Sequence, residues 1–346
     1  MISLLVVNYR SSALAEEAIR SARAAARTPL QVVVVDNSCD VAEADALRPH
    51  ADVVVAPSRN LGYAVAINAG RVHCKGDVII VSNPDVVFGE RAIEKLVSAI
   101  DMQRAAVAGP ALFWDDAHAW MLPPSELHTA SEKLGEALAS RSRSFARFRD
   151  RRRIAARLQF WSLAQTTETT AISGAVMAIR AADFDSIGGF DERFPLYFEE
   201  NDFLRRIHAR GKRIVYVPSA KCRHLYNQSA GADVAHATTA YAESEMRYLA
   251  KWHGGTMARL LKTMERPRMV TLPARLDSAI ALPARDVVVE ASPLASFETA
   301  AGHFPAGSSA DVPAEVWDSY RSEALFLRVV DRKTRAVLAT YARYRS

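Results

Sequence analysis

The chain has 346 residues, 49% of them hydrophobic and 24% charged, with a formal net charge of +5. This composition excludes a disordered chain, and the length suggests two domains or one large domain with an appendage. The charge is local: residues 141–157, from Arg141 to Arg157, hold eight arginines and Asp150 for a net +7, leaving −2 for the remainder, which excludes a fold-wide basic footprint for coating nucleic acid.

Residues 2–7 are a short apolar run, read as a buried strand. Residues 11–27 set Leu14, Ala18, Ile19 and Ala22 on one helical stripe, with Ser11 or Ser12 as N-cap. Further strands are predicted at 30–35, 52–55 and 77–81, and further helices at 63–72 and 90–100. Short apolar strands alternating with helices predict an α/β fold with a mostly parallel sheet covered on both faces. Residues 115–163 carry the arginine run and no clear strand, so they read as a helical insertion. The pattern returns with a strand at 173–179, a polar helix at about 199–210 and a strand at 213–217. A long helical pattern over 240–264 is interrupted by Gly254-Gly255.

Pro267 and Pro273 then bracket a shift in composition. Runs at 287–289 and 325–330, and a third at 337–341 after the polar turn 331–335, predict a small β-rich module ending in a hairpin. The expected division is therefore a domain over 1–265, with a basic helical insert at 114–165, and an accessory module over 266–346. Three scattered cysteines, Cys39, Cys74 and Cys222, indicate no disulfide framework and a reducing, cytoplasmic setting. No signal peptide is expected at the start, and no run reaches the ~20 apolar residues of a membrane helix.

In open α/β sheets a ligand sits at the carboxyl ends of the strands. Here the first four strands are followed by Asn8-Tyr9-Arg10, Asp36-Asn37-Ser38, Asn60-Leu61-Gly62-Tyr63 and Asn83-Pro84-Asp85. One such end is an ordinary turn. Four along one sheet edge predict a ligand crevice. Neither GxGxxG nor a P-loop is present, so the phosphates of a bound nucleotide would need another counter-charge. A divalent cation on carboxylate oxygens supplies one, with Asp85 as the candidate ligand and Pro84 restricting its direction.

Glu199, Glu200 and Asp202 fall together at a helix start. Two readings are open. Acids favour a helix N-terminus, and Asp202 can pair with Arg205 or Arg206. Alternatively, one acid is a general base and its neighbour orients it, in a site kept partly dry by Phe194, Tyr197 and Phe198. His224 is either polar surface or a further ligand for a cation at Asp85, where an imidazole favours Mn²⁺ over Mg²⁺.

Taken in order, these stretches resemble a family 2 inverting glycosyltransferase of the GT-A fold, in its bacterial rhamnosyltransferase-like branch. The matching residues are Val6-Val7-Asn8-Tyr9, Val35-Asp36-Asn37-Ser38, Asn60-Leu61-Gly62-Tyr63 and Asn68-Ala69-Gly70. They continue with Ser82-Asn83-Pro84-Asp85, Ser173-Gly174-Ala175, Gly188-Gly189-Phe190-Asp191-Glu192, residues 197–205 and His224, so the likeness covers about residues 1–255.

The resemblance implies that Asp36 contacts the nucleotide base beside Asn8 and Tyr9, with Asn60, Gly62 and Asn83 in the donor site. It implies that Asp85 binds a cation, Mn²⁺ or Mg²⁺, on the donor diphosphate, with His224 as a further ligand. Glu200 falls at the position of the catalytic base, with Asp202 as its rival, and Gly174 and Glu199 face the acceptor. Three departures stand out: Asn83 replaces the first acid of Asp-X-Asp, the base position holds Glu where Asp is usual, and Cys39-Asp40 replaces an Asp-Gly turn.

The implied activity is metal-dependent, inverting transfer of a sugar from dTDP-rhamnose or a UDP-sugar to a hydroxyl of a surface glycan, lipid-linked or soluble. Two other classes compete: an inert GT-A-like protein that binds a nucleotide-sugar or glycan, and a nucleotidyltransferase. Oligomerisation is left open. For the arginine run, two expectations stand: a solvated helix, or a patch meeting anionic headgroups at the inner face of the cytoplasmic membrane.

Overall fold

The computed structural model describes residues 1–225, 234–264, 273–276, 278–319 and 323–345. In chain order the first elements are β1 (Ile2–Asn8), α1 (Ser12–Ala25), β2 (Leu30–Asp36), α2 (Val41–Leu47), β3 (Val53–Val55) and α3 (Tyr63–Arg71). Next come β4 (Val78–Ser82), β5 (Val86–Phe88), α4 (Ala92–Met102), β6 (Val107–Phe113), β7 (Trp120–Met121), α5 (Ala130–Ala139) and α6 (Arg143–Trp161). The chain continues through β8 (Thr167–Thr169), β9 (Val176–Arg180), α7 (Ala181–Ser186), α8 (Glu199–Ala209), β10 (Ile214–His224), α9 (Val234–His253) and α10 (Gly255–Met264). The last are β11 (Ala274–Arg275), β12 (Ile280–Ala281), β13 (Val287–Ser292), β14 (Ala301–His303), β15 (Ser309–Ala310), α11 (Ala314–Ser319), β16 (Ala324–Asp331) and β17 (Val337–Tyr344).

These elements form two compact units. One comprises residues 1–111, 125–128 and 164–255. Its sheet runs β3-β2-β1-β4-β9-β6. The first four strands are parallel, and β9 lies antiparallel to β4 and β6. Leucines, valines and isoleucines fill both faces: Leu4, Leu5, Val6, Val32 to Val35 and Ile79 to Val81 are all buried, as expected for strands covered by helices on both sides. The predicted strands and helices of the first hundred residues are present to within a few residues. Beyond those predicted, the unit contains α2, β5, β6, β8 and α7. Gly109-Pro110 interrupts the apolar pattern of β6, and β5 has only three residues.

The second unit comprises residues 112–124, 129–163 and 256–346. Its strands run β11-β17-β16-β13-β14-β7, mostly antiparallel, and β16 and β17 form the expected hairpin. The basic segment belongs here, together with the C-terminal strands. In α6, Ile154 and Trp161 pack with Val288 and Val330. A Cβ on Gly302 would lie 2.5 Å from the Trp161 ring, so only glycine admits that indole.

The expectation of a solvated helix holds for one side of α6 only. Arg149, Arg153 and Arg157 recur every four residues and so share a face. Arg149 meets Glu136 at 3.2 Å, Arg153 meets Glu298 at 3.0 Å, and Arg157 meets the fully buried Glu290 at 2.8 Å. Arg328 completes the cluster, bridging Glu290 and Asp150. No helix among the described residues is long and apolar enough to cross a membrane.

Candidate active site

The site lies within the first unit, at the carboxyl ends of its parallel strands. Parallel register sets Asn8 beside Asp36. Asn8 Nδ2 donates to Asp36 Oδ1 at 2.9 Å, and Ser38 Oγ donates to the same oxygen at 2.6 Å. Asn8 Nδ2 also reaches Glu43 Oε2 at 3.0 Å, and the Ser12 backbone N–H donates to that carboxylate at 2.9 Å. Glu43 lies on α2, outside the predicted elements. Its signal was Asp40, which accepts from the Ala42 N–H as the N-cap of that short helix.

Contacts continue along the edge. Asn37 Nδ2 donates to the Gly62 carbonyl at 3.1 Å, and Asn60 Oδ1 accepts from the Gly62 N–H at 2.8 Å. Gly62 has φ +77°, and a Cβ there would lie 2.8 Å from the Pro195 carbonyl, so this turn requires glycine. Tyr63 follows, its N–H donating to Pro195 and its hydroxyl to Asn83 Oδ1 at 3.2 Å. Burial, together with the charges of Glu199, Glu200 and Asp85, raises the Tyr63 phenol far above its ordinary range. Tyr63 therefore stays neutral, bonded to Asn83 and within the field of the α8 acids.

Two of the sequence motifs act on the frame. Asn68 clamps the Phe190 backbone, accepting from its N–H at 3.0 Å and donating to its carbonyl at 2.9 Å. Phe190 packs edge-on against Phe203 of α8. A Cβ on Gly70 would lie 2.3 Å from Leu5, so α3 sits directly on β1.

The entry to α8 is strained. Tyr197 and Phe198 both take left-handed backbone, with φ 68° and 66°. Such residues cost of order 1–3 kcal/mol each and persist where the surroundings hold them. Here Phe194, Phe198 and Tyr248 form a buried aromatic cluster, and His128 stacks at a tilt on Phe198.

The three acids of α8 have different surroundings. Asp202 is fully buried and receives Arg206 at 2.7 Å, Lys251 at 2.5 Å and the Trp252 indole N–H at 2.9 Å. Its oxygens are taken by this network. Glu200 is half-buried, and its Oε1 accepts from Asn201 Nδ2 at 3.2 Å. Gly174 forms a wall beside it, where a Cβ would lie 3.0 Å from Glu200 Cγ. Glu199 is buried, and its Oε2 has no hydrogen-bond partner among the described residues. Burial raises the carboxyls of Glu199 and Glu200, and the adjacent Glu200 charge raises Glu199 further.

β10 pairs antiparallel with β5 and sets His224 opposite Val86. His224 Nε2 thereby lies 3.3 Å from Asp85 Oδ1. A buried carboxylate and an imidazole at this distance suit a divalent cation of the Mn²⁺ kind. Among the described residues no group of three or more His, Cys, Asp and Glu gathers at one point. Protein atoms would therefore supply only part of a coordination shell, as is usual where substrate phosphates and water supply the rest.

Comparison with known proteins gives this edge a context. A Mycobacterium tuberculosis protein named N-acetylglucosaminyl-diphospho-decaprenol L-rhamnosyltransferase is 28% identical over 273 residues, 74% of this chain and 86% of that protein. The rhamnosyltransferase WbbL of Escherichia coli is 25% identical over 175 residues, 51% of this chain and 62% of that protein. A Pyrobaculum calidifontis mannosyltransferase solved with GDP-Man and Mn²⁺ aligns with TM-score 0.47 and 14% identity, over 76% of this chain and 73% of that one. The profile of the family described as glycosyltransferase-like family 2 matches residues 1–254, so the chain is a glycosyltransferase of that family.

Proposed function

We propose that the protein transfers a sugar from a nucleoside-diphosphate donor to a hydroxyl of a glycan acceptor, inverting the anomeric carbon, with Glu200 as general base. The observation that carries this reading is the contrast among the acids of α8. Asp202 is occupied by three donors, whereas Glu200 keeps a half-buried carboxyl beside Gly174. A carboxyl raised above its ordinary value is a stronger base near neutral pH.

In one displacement, the acceptor oxygen bonds to the anomeric carbon as the carbon–phosphate-oxygen bond breaks. The acceptor proton passes to Glu200 Oε, and the nucleoside diphosphate leaves with the bonding electron pair. Asp36, with Asn8 and Tyr9, would face the base of the donor. Asn60, Gly62 and Asn83 would line the ribose and diphosphate, and Gly174 and Glu199 would border the acceptor. Asp85 and His224 would hold a divalent cation, Mn²⁺ or Mg²⁺, whose chemistry is Lewis-acid neutralisation of the leaving diphosphate. The names of both relatives favour a rhamnosyl donor, such as dTDP-rhamnose over a UDP-sugar, and that of the Mycobacterium tuberculosis protein favours a lipid-diphosphate-linked glycan as acceptor.

A panel of nucleotide-sugars, scored by thermal shift with and without Mn²⁺ and then by product analysis, tests the reading. Release of nucleoside diphosphate together with a glycosylated lipid diphosphate is expected. Release of pyrophosphate, or donor binding without turnover on any acceptor, would overturn it.

A further inference from the structure

The helical phase of α6 divides its arginines. Arg149, Arg153 and Arg157 turn toward the glutamates of the second unit. Residues 148, 151, 152, 155 and 159 fall on the other side at spacings of three and four. That side borders a groove of about 970 Å³, whose opposite wall is the turn between β16 and β17. Five cations line it: Arg151 and Arg152 from the helix, and Arg332, Lys333 and Arg335 from the turn. The lining contains one acid, Asp286, which is held by Arg332 at 2.7 Å. Arg151, Arg152, Lys333 and Arg335 are exposed and make no ion pair among the described residues. Ala155, Ala156 and Leu158 add apolar lining. Phe148, 54% exposed, stands at the rim with the Arg152 guanidinium 5.9 Å from its ring centre.

We propose that this face docks the protein on an anionic lipid bilayer. The charge is uncompensated and calls for an anionic partner. Its heads stay solvated on flexible stems and do not converge on a buried polar pocket, which suits many mobile headgroups better than one small phosphate ligand. A large exposed phenylalanine among arginines suits the bilayer interface, where an apolar ring inserts and cations meet phosphates. The run of eight arginines thus contributes only its outward members, and the turn at 331–335, distant in sequence, supplies the rest.

Sedimentation of the full chain with phosphatidylcholine vesicles, with and without phosphatidylglycerol, tests it. Binding only to the phosphatidylglycerol vesicles is expected, with loss at about 1 M NaCl, where the screening length falls to ~3 Å. Arg151→Glu with Arg152→Glu, and separately Lys333→Glu with Arg335→Glu, should each reduce the bound fraction about tenfold. Phe148→Ser should weaken binding with little change in its salt dependence. Nucleotide binding measured on the same preparations should remain at the wild-type level, which separates a lost surface from a lost fold. Absence of binding to phosphatidylglycerol vesicles, binding unchanged in both double variants, or retention of the chain by RNA but not by vesicles would overturn the proposal.

Discussion

Gly174 and Glu200 are in contact: a Cβ on Gly174 would lie 3.0 Å from Glu200 Cγ and 3.2 Å from its Cβ. The glycine in Ser173-Gly174-Ala175 therefore sets how far the α8 carboxyl can lean toward the strand. The Ala175 carbonyl accepts from the Asn83 N–H at 2.9 Å, so the same segment reaches the Asn83-Pro84-Asp85 corner. Gly174→Ala should push Glu200 aside by a few tenths of an ångström or into another rotamer. Misplacing a catalytic group in this way costs up to about 10²-fold in rate. Steady-state kinetics should show kcat reduced by about ten- to a hundredfold with donor affinity unchanged. Unchanged kcat would mean the contact does not position the carboxyl.

Asp202 is predicted to act on stability. It is fully buried between Arg206, Lys251 and Trp252. Removing one partner of a buried pair costs about 3–5 kcal/mol, because the other charges lose their counter-ion. Asp202→Ala should lower the urea midpoint by a corresponding amount, while Glu200→Gln should leave it near the wild-type value. A stable Asp202→Ala protein devoid of transfer would move the base to Asp202.

The pH dependence follows from the paired acids. Glu199 and Glu200 ionise above the ordinary value of 4.5 in the folded protein. The unfolded chain releases these protons first, so their contribution to stability is complete below that value and is lost as pH rises through the raised ones. Unfolding free energy should therefore decline with pH across that interval, and less steeply in Glu199→Gln. Over the same interval kcat/KM should rise, since a base must be ionised to accept a proton. A slope of stability on pH that is unaltered in Glu199→Gln would contradict the raised carboxyl.

Asp85 is expected to control metal-dependent affinity. Its carboxylate lies 3.3 Å from His224 Nε2 and is almost fully buried. Asp85→Ala should abolish the Mn²⁺-dependent part of nucleoside diphosphate binding by calorimetry, and His224→Ala should weaken it. Equal affinity with and without Mn²⁺ in the wild-type protein would remove the cation from the site.

Much of this site was legible because each motif residue follows a buried apolar strand. Asn8, Asp36 and Asn83 stand where buried runs rich in valine, leucine and isoleucine end, and parallel register carries them to one edge. Glu43 was hidden because α2 is only seven residues long and carries little periodicity. The hydrogen bond of Tyr63 to Asn83 was hidden because an aromatic residue at a helix start reads as core. The acids of α8 could be found in the sequence but not ranked. Asp202 differs from Glu200 through Lys251 and Trp252, some fifty residues further along the chain. The arginine helix read as one basic segment because its partners, the buried Glu290 and the half-buried Glu298, lie about 140 residues away.

The rate of sugar transfer by Glu200→Gln, measured beside the affinity of the same variant for nucleoside diphosphate, tests the base assignment most directly. General-base assistance is worth ~10²–10⁴ in rate, so a loss of that size with unchanged affinity is the expected result. Transfer at close to the wild-type rate would contradict it.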